Sequence, residues 1–295
     1  MDCSKVIAAA SRVDDDPWQY PWGHRKEFKE SLDTVMIPTL AATGTDINPY
    51  AVIMDEGAVS KTFCVAECLY PTMTMADPEI HASVPLHLTI WGAMDILSHT
   101  FEFYFNGYFR SIFQNRFSEA IVHSVMECVN ILVEDPKDLR ARGELWWSSI
   151  MAWGGLTKIG RGDPDMACHT IAEGFVPFYD THHGATLGVI TPRWMKYVVE
   201  DASPYFARFA ENLFGIANGS ELDQAKKGVE RYIAWLRDIG APATLQELTG
   251  SNIAKDKLRE IARKTFDDAG GQVGLMRPLK EDDVFNILDA SCSPL

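Results

Sequence analysis

The stretch LHLTIWGAMDILSHTFEFYF, Leu86 to Phe105, decides how the rest of the chain is read. It is apolar over most of its length, yet polar groups, Asp95 and His99 among them, interrupt it too often for a membrane span. Read as a helix, it places Asp95 and His99, four residues apart, on one face with Cβ atoms about 5–6 Å apart. An Asp and a His at that spacing are often just an ion pair or a satisfied core pair. A second stretch, CHTIAEGFVPFYDTHHG (Cys168 to Gly184), adds His169 and His183, 14 residues apart across a Pro177/Tyr179/Asp180 turn. The gap permits one histidine on a helix and the other on the following loop or helix start. Three nitrogens and one oxygen suit Zn²⁺ or Fe²⁺ and suit Ca²⁺ or Mg²⁺ poorly, because those ions prefer oxygen shells.

The 295 residues carry a formal net charge of −14 and no basic run, which disfavours nucleic acid as a partner. The six cysteines (Cys3, Cys64, Cys68, Cys128, Cys168 and Cys292) form no CxxC pair, the pattern of reduced thiols rather than a disulfide framework. The short apolar stretch near Met1 turns acidic too soon for a signal peptide. Asn218-Gly219-Ser220 matches a glycosylation acceptor that a non-secreted protein leaves idle. The expectation is a soluble cytoplasmic protein with no membrane span.

Residues 1 to about 85 read as α/β: a helix from Ser4 to Arg12, a Pro- and Trp-containing loop (DDDPWQYPWGH, 14–24), and strand-like pieces at 34–37, 51–54, 61–64 and 69–75. From Leu86 onward the periodicity is helical. Phe117, Ile121, Val125, Cys128 and Leu132 mark one helix, and Val229, Ile233, Leu236 and Ile239 another, ended by Gly240 and Pro242. Leu258, Ile261 and Phe266 form a weaker one. Glu281, Asp282 and Asp283 open a last one, where acids suit the helix dipole. The predicted fold is an α/β partial dinucleotide-binding domain (1–85) followed by a larger all-α metal-binding domain (86–295).

The order of motifs resembles the iron-dependent (group III) alcohol dehydrogenases, most closely their butanol dehydrogenase branch. PTLAATGTD (Pro38 to Asp46) is similar to the family's Pro-Thr-x-Ala-x-Thr-Gly-Ser-Glu loop, and DILSH (Asp95 to His99) to its Asp-x3-His pair. Cys168 to Met195 resembles its two-histidine signature, and YFARFAENLFG (Tyr205 to Gly215) and IGAPATLQEL (Ile239 to Leu248) resemble its C-terminal half. The resemblance implies that Asp95, His99, His169 and His183 hold one Fe²⁺ or Zn²⁺. That ion would polarise the oxygen of a small primary alcohol or aldehyde while NAD or NADP exchanges hydride with the carbon. It further implies cofactor contacts from Asp2, Thr39, Thr43, Asn48 and Lys61, and a substrate-side role for Glu173 and Tyr179. Without the family, the 39–46 loop is an ordinary strand-to-helix turn and Lys61 a solvated lysine.

Two departures stand out. The family's N-terminal strands and Gly-Gly-Gly-Ser phosphate loop have no counterpart. Met1-Asp2-Cys3-Ser4-Lys5 resembles the Asp-x-x-Lys segment that follows that loop, so roughly half of the dinucleotide-binding domain is expected to be missing. Glu173 stands where the family has a second histidine, one turn after His169. Unpaired strands in such a reduced domain predict self-association as a homo-oligomer, a dimer or filament-like, through residues 34–75. Two other readings stay open: a non-catalytic relative that keeps a structural metal without dinucleotide, and a metal-dependent hydrolase with Glu173 as base.

Overall fold

The computed structural model describes residues 1–20, 26–55, 57, 60–107 and 111–295, so the end of the 14–24 loop lies outside the described residues. The N-terminal region comprises helix α1 (Asp2–Ala10) and four strands: β1 (Val35–Met36), β2 (Tyr50–Asp55), β3 (Ser60–Val65) and β4 (Met73–Thr74). Strands β2 and β3 form an antiparallel hairpin from Tyr50↔Val65 to Asp55↔Ser60. Strands β1 and β4 form a separate parallel pair, Val35↔Met73 and Met36↔Thr74. The expected strand at 69–75 is mostly absent: Glu67–Leu69 is a 3₁₀ turn and only Met73–Thr74 pairs. Pro71 lies between them and has no N–H for a ladder.

Helices then follow without interruption: α2 (Pro78–His81), α3 (Leu86–Tyr104), α4 (Ile112–Glu134), α5 (Leu139–Ala152), α6 (Gly155–Lys158), α7 (Ala167–Tyr179) and α8 (His183–Val198). The C-terminal part adds α9 (Ser203–Phe214), α10 (Glu221–Asp238), α11 (Leu245–Thr249), α12 (Lys255–Asp268) and α13 (Glu281–Ala290). The chain is thus a partial α/β region followed by a larger helical domain. Among the described residues no helix is long and apolar enough to cross a membrane, and all six cysteines are free.

Burial explains the hierarchy. A small core joins Ala9, Phe28, Ala51, Cys64, Ala66 and Leu69 within the N-terminal region. A much larger one runs from Ala41 to Leu288, and α3 is its axis. From Thr89 to Tyr104 only Trp91 escapes full burial, so α3 is covered on every side by its contacts with α4, α5, α7 and α8. A helix buried all round has no polar face on which to leave its charges. That constraint governs the site.

The 38–46 loop is pinned to this helical body. His81 Nε2 lies 2.9 Å from Pro38 O, Trp146 Nε1 donates to Asp46 Oδ2 at 2.8 Å, and the Thr74 hydroxyl donates to Asp46 O. Gly92 makes the approach to α3 possible, since a Cβ there would overlap the carbonyl oxygen of Ala41. Replacing Gly92 by Ala is therefore expected to destabilise the protein by about 1–3 kcal/mol, read from urea unfolding, because the loop or the helix has to shift.

Candidate metal centre

Helix α3 presents Asp95 and His99 one turn apart, both buried. Helices α7 and α8 bring His169 near the start of one and His183 at the first position of the other. The approach of α8 needs Gly184, whose Cβ would overlap the carbonyl oxygen of Trp91 on α3. A side chain at that position would force His183 away from Asp95.

The result is a convergence on one carboxylate oxygen, tightest for Asp95, His99 and His169, whose ligating atoms all lie within 4.8 Å of one another. Nε2 of His99, His169 and His183 each lies 3.7 Å from Asp95 Oδ1. The His99 and His169 rings stack at 4.6 Å and 15°, and the His169 and His183 centroids are 5.5 Å apart. A separation of 3.7 Å is too long for a hydrogen bond. It is close to the roughly 3.4 Å between donor atoms that share a tetrahedral ion through bonds of about 2.1 Å. Asp95 Oδ1 and His169 Nε2 are both buried without a hydrogen-bond partner. A buried carboxylate oxygen without a partner is costly, and a cation between these four atoms would relieve that cost. The donor set fits a divalent first-row metal.

The electrostatics agree. Burial acts to raise the Asp95 carboxyl, but His99, His169 and His183 overcome it and hold the group well below the usual carboxylate range. Burial pulls His99 down to about 4 against the attraction of Asp95. Burial, reinforced by the Lys61 charge, holds His183 well below its ordinary value. Those two rings are neutral at pH 7, with lone pairs free to ligate. Burial also acts on His169, but the Asp95 and Glu102 carboxylates beside it carry it up to about 10, so a bound ion would displace the proton from its Nε2.

The walls of the centre are aromatic and charged. Trp153 packs at 5.0 Å from His99 and 5.1 Å from Phe103, with Tyr50 at its edge. Lys61 reaches from β3 to α7, its Nζ 3.7 Å from Glu173 Oε1, and its charge acts on His99 and His183. Tyr179 lies at the far end of α7 with its ring stacked on Phe175 at 5.0 Å. Among the described residues, no hydrogen bond or ring contact joins Tyr179 to the four ligands.

The residues expected at the cofactor lie on α1, on the hairpin and on the segment between them. Thr39 and Thr43 are exposed on the 38–46 loop. The Asp2 carboxylate accepts from the Thr45 hydroxyl and from Val52 N at 2.8 Å. Asn48 is buried, donating to Thr43 O at 3.3 Å and accepting from Tyr50 N at 3.0 Å, while Lys5 Nζ donates to Asn48 O at 2.7 Å. Asp2 and Asn48 thus tie α1, the loop and the hairpin together. Sequence reading passed over Glu102, which lies on the α3 face of Asp95 and His99 at i+7 and i+3, a signal that periodicity does carry. It also passed over Trp153, which no local pattern marks.

The family described as iron-containing alcohol dehydrogenase matches residues 1–78, and the Fe-containing alcohol dehydrogenase family, C-terminal, matches residues 89–292. The NADH-dependent butanol dehydrogenase A of Clostridium acetobutylicum is 33% identical over 293 residues, 99% of this chain and 74% of that protein. The NADPH-dependent aldehyde reductase YqhD of Escherichia coli is 26% identical over 86% of this chain and 66% of its own length. The crystal structure of NADH-dependent butanol dehydrogenase A from Thermotoga maritima superposes with a TM-score of 0.91 at 31% identity, covering 99% of this chain and 74% of that one.

Replacing Gly184 by Ala is expected to lower the metal content of the purified protein, measured by elemental analysis, while helical content by circular dichroism stays near that of the unmodified chain. Unchanged metal content would show that the close approach to Trp91 does not position His183.

Proposed function

The chain belongs to the iron-containing alcohol dehydrogenase family, and from that premise we propose that it transfers a hydride between NAD(P)H and a small primary alcohol or aldehyde at a metal centre. The observation that carries this reading is the convergence of Asp95 Oδ1 with three imidazole nitrogens, two of the four atoms buried without a partner. Relatives named as NADH-dependent butanol dehydrogenases and an NADPH-dependent aldehyde reductase support the reaction class and the cofactor. The same relatives weigh against the hydrolytic and non-catalytic alternatives.

In this reading Asp95, His99, His169 and His183 hold Fe²⁺ or Zn²⁺. A bound ion supplies Lewis-acid polarisation of the alcohol or aldehyde oxygen. The chain's own residues do the rest. Trp153, Phe103 and Tyr50 narrow the approach with apolar surface, which suits an unbranched, uncharged substrate and limits water. Lys61 supplies a positive charge beside the centre. Its pairing with Glu173 holds the ammonium near α7 and gives proton exchange a polar route where the family has a histidine. Thr39 and Thr43 on the exposed loop are the candidates for direct cofactor contact, with Asp2 and Asn48 fixing that loop. Residues 1–85 then serve the dinucleotide and 86–295 the metal. Tyr179, packed on Phe175, shapes the end of α7.

Elemental analysis of gently purified protein is expected to find one Fe or Zn per chain, and His183→Ala to lose both metal and NADH-dependent reduction of a short aldehyde. Titration of NADH by fluorescence separates the alternatives: binding in the micromolar range supports the oxidoreductase reading, and metal without any NAD(P)H binding contradicts it.

The same proposal extends to assembly. Val35, Ile37, Met73 and Met75 are all close to half exposed on the short β1/β4 pair, which has two open edges. Such edges recruit partners, so self-association through residues 34–75 is expected, although positions 56, 58 and 59 lie outside the described residues. Size-exclusion chromatography with light scattering is expected to give a dimer or larger species, reduced to monomer by Val35→Lys with Met73→Lys. A monomer for the unmodified chain contradicts it.

A further inference from the structure

Helix α7 begins under strain. Met166, immediately before it, adopts a left-handed conformation with φ 62°, and no side chain of its own caps the helix. Left-handed backbone costs a non-glycine residue about 1–2 kcal/mol, so its surroundings have to hold it there. Two buried acids do so. Asp165 Oδ1 accepts from Ala167 N at 3.1 Å, while its Oδ2 accepts from Leu275 N and Met276 N at 2.8 and 2.6 Å. Glu102, on α3, accepts the N–H of Asp165 at its main-chain carbonyl, 2.8 Å.

The Glu102 side chain does more than close the helix end. Its Oε1 accepts both from His169 N, at 3.1 Å, and from His169 Nδ1, at 2.9 Å, and the residue is buried. Donation from Nδ1 holds a proton on that nitrogen and turns Nε2 toward Asp95 Oδ1, 3.7 Å away, where an ion would take its lone pair. Among the described residues the other two rings lack this support, since His99 Nδ1 and His183 Nδ1 are both buried without a hydrogen-bond partner. His169 is therefore the ligand whose tautomer and orientation the protein specifies.

We infer that Glu102 is a positioning residue for the metal centre: through its bond to Nδ1 it fixes His169 as the anchoring ligand and sets how tightly the cation is held. This rests on the reading that Asp95, His99, His169 and His183 hold a metal. A carboxylate behind a ligating imidazole orients the ring and raises its basicity, and losing such a partner lowers metal affinity by roughly 10–100-fold.

Metal-free protein titrated with Co²⁺ and Zn²⁺ against a competing chelator tests this, with the Co²⁺ absorption spectrum as a second readout. Glu102→Gln keeps an oxygen that accepts from His169 N and Nδ1, so the helix end and the melting temperature of the metal-free protein should change little. Its metal affinity should still fall by roughly 10–100-fold through loss of the charge. Glu102→Ala should bind more weakly again, with an altered Co²⁺ spectrum. Co²⁺ and Zn²⁺ affinities of Glu102→Gln equal to those of the unmodified chain would overturn the inference and leave Glu102 as a helix cap alone. Failure of the unmodified chain to bind either ion would instead overturn the metal reading beneath it, and the inference with it.

Discussion

The buried carboxylate of Asp95 is the constraint on which the rest of the structure depends. It sits in the middle of a helix covered on every side, where no solvent reaches its Oδ1 and no hydrogen bond satisfies it. A single buried charge of that kind costs several kcal/mol unless opposite charge is supplied. The chain answers by bringing three imidazoles to equal distances from one oxygen. Much of the local architecture follows from that demand. Gly184 lets α8 touch the α3 backbone, and Gly92 lets the 38–46 loop lie against the same helix. Trp153 packs between His99 and Tyr50 of the β2/β3 hairpin.

Helix α7 shows the same demand as strain. Left-handed residues bracket it, Met166 before and Asp180 after, and Pro177 lies inside it. Such conformations survive where surroundings over-determine them, and they gather at functional sites. Both ends of the helix are committed: one to His169, held by Glu102, the other to the turn that returns the chain to His183. Glu173, one turn after His169, then meets Lys61 from β3. This ion pair is one of the contacts between the α/β region and helix α7.

Legibility in the sequence varied with how local the signal was. Asp95 and His99 were readable because a helix period alone puts them together, and His169 and His183 because the motif around them is distinctive. Glu102 obeyed the same period and was missed, since a glutamate in an apolar run looks like a surface residue until its partner on α7 is known. The strand read at 69–75 failed at Pro71, whose missing N–H outweighs the apolar run around it. Helix α5 and Trp153 gave no local sign, as their role is set by packing against α3 and α4. Asp2 and Asn48, expected at the cofactor, accept main-chain hydrogen bonds that composition alone does not foretell.

Anomalous diffraction from crystals of the protein, collected on both sides of the iron and zinc absorption edges, tests the central claim most directly. The account predicts one anomalous peak enclosed by Asp95 Oδ1 and the Nε2 atoms of His99, His169 and His183, at about 2.0–2.2 Å from each. A refined structure with full metal loading elsewhere in the chain, or with Asp95 closing directly onto His169 in a hydrogen bond and no peak between the four atoms, would contradict it.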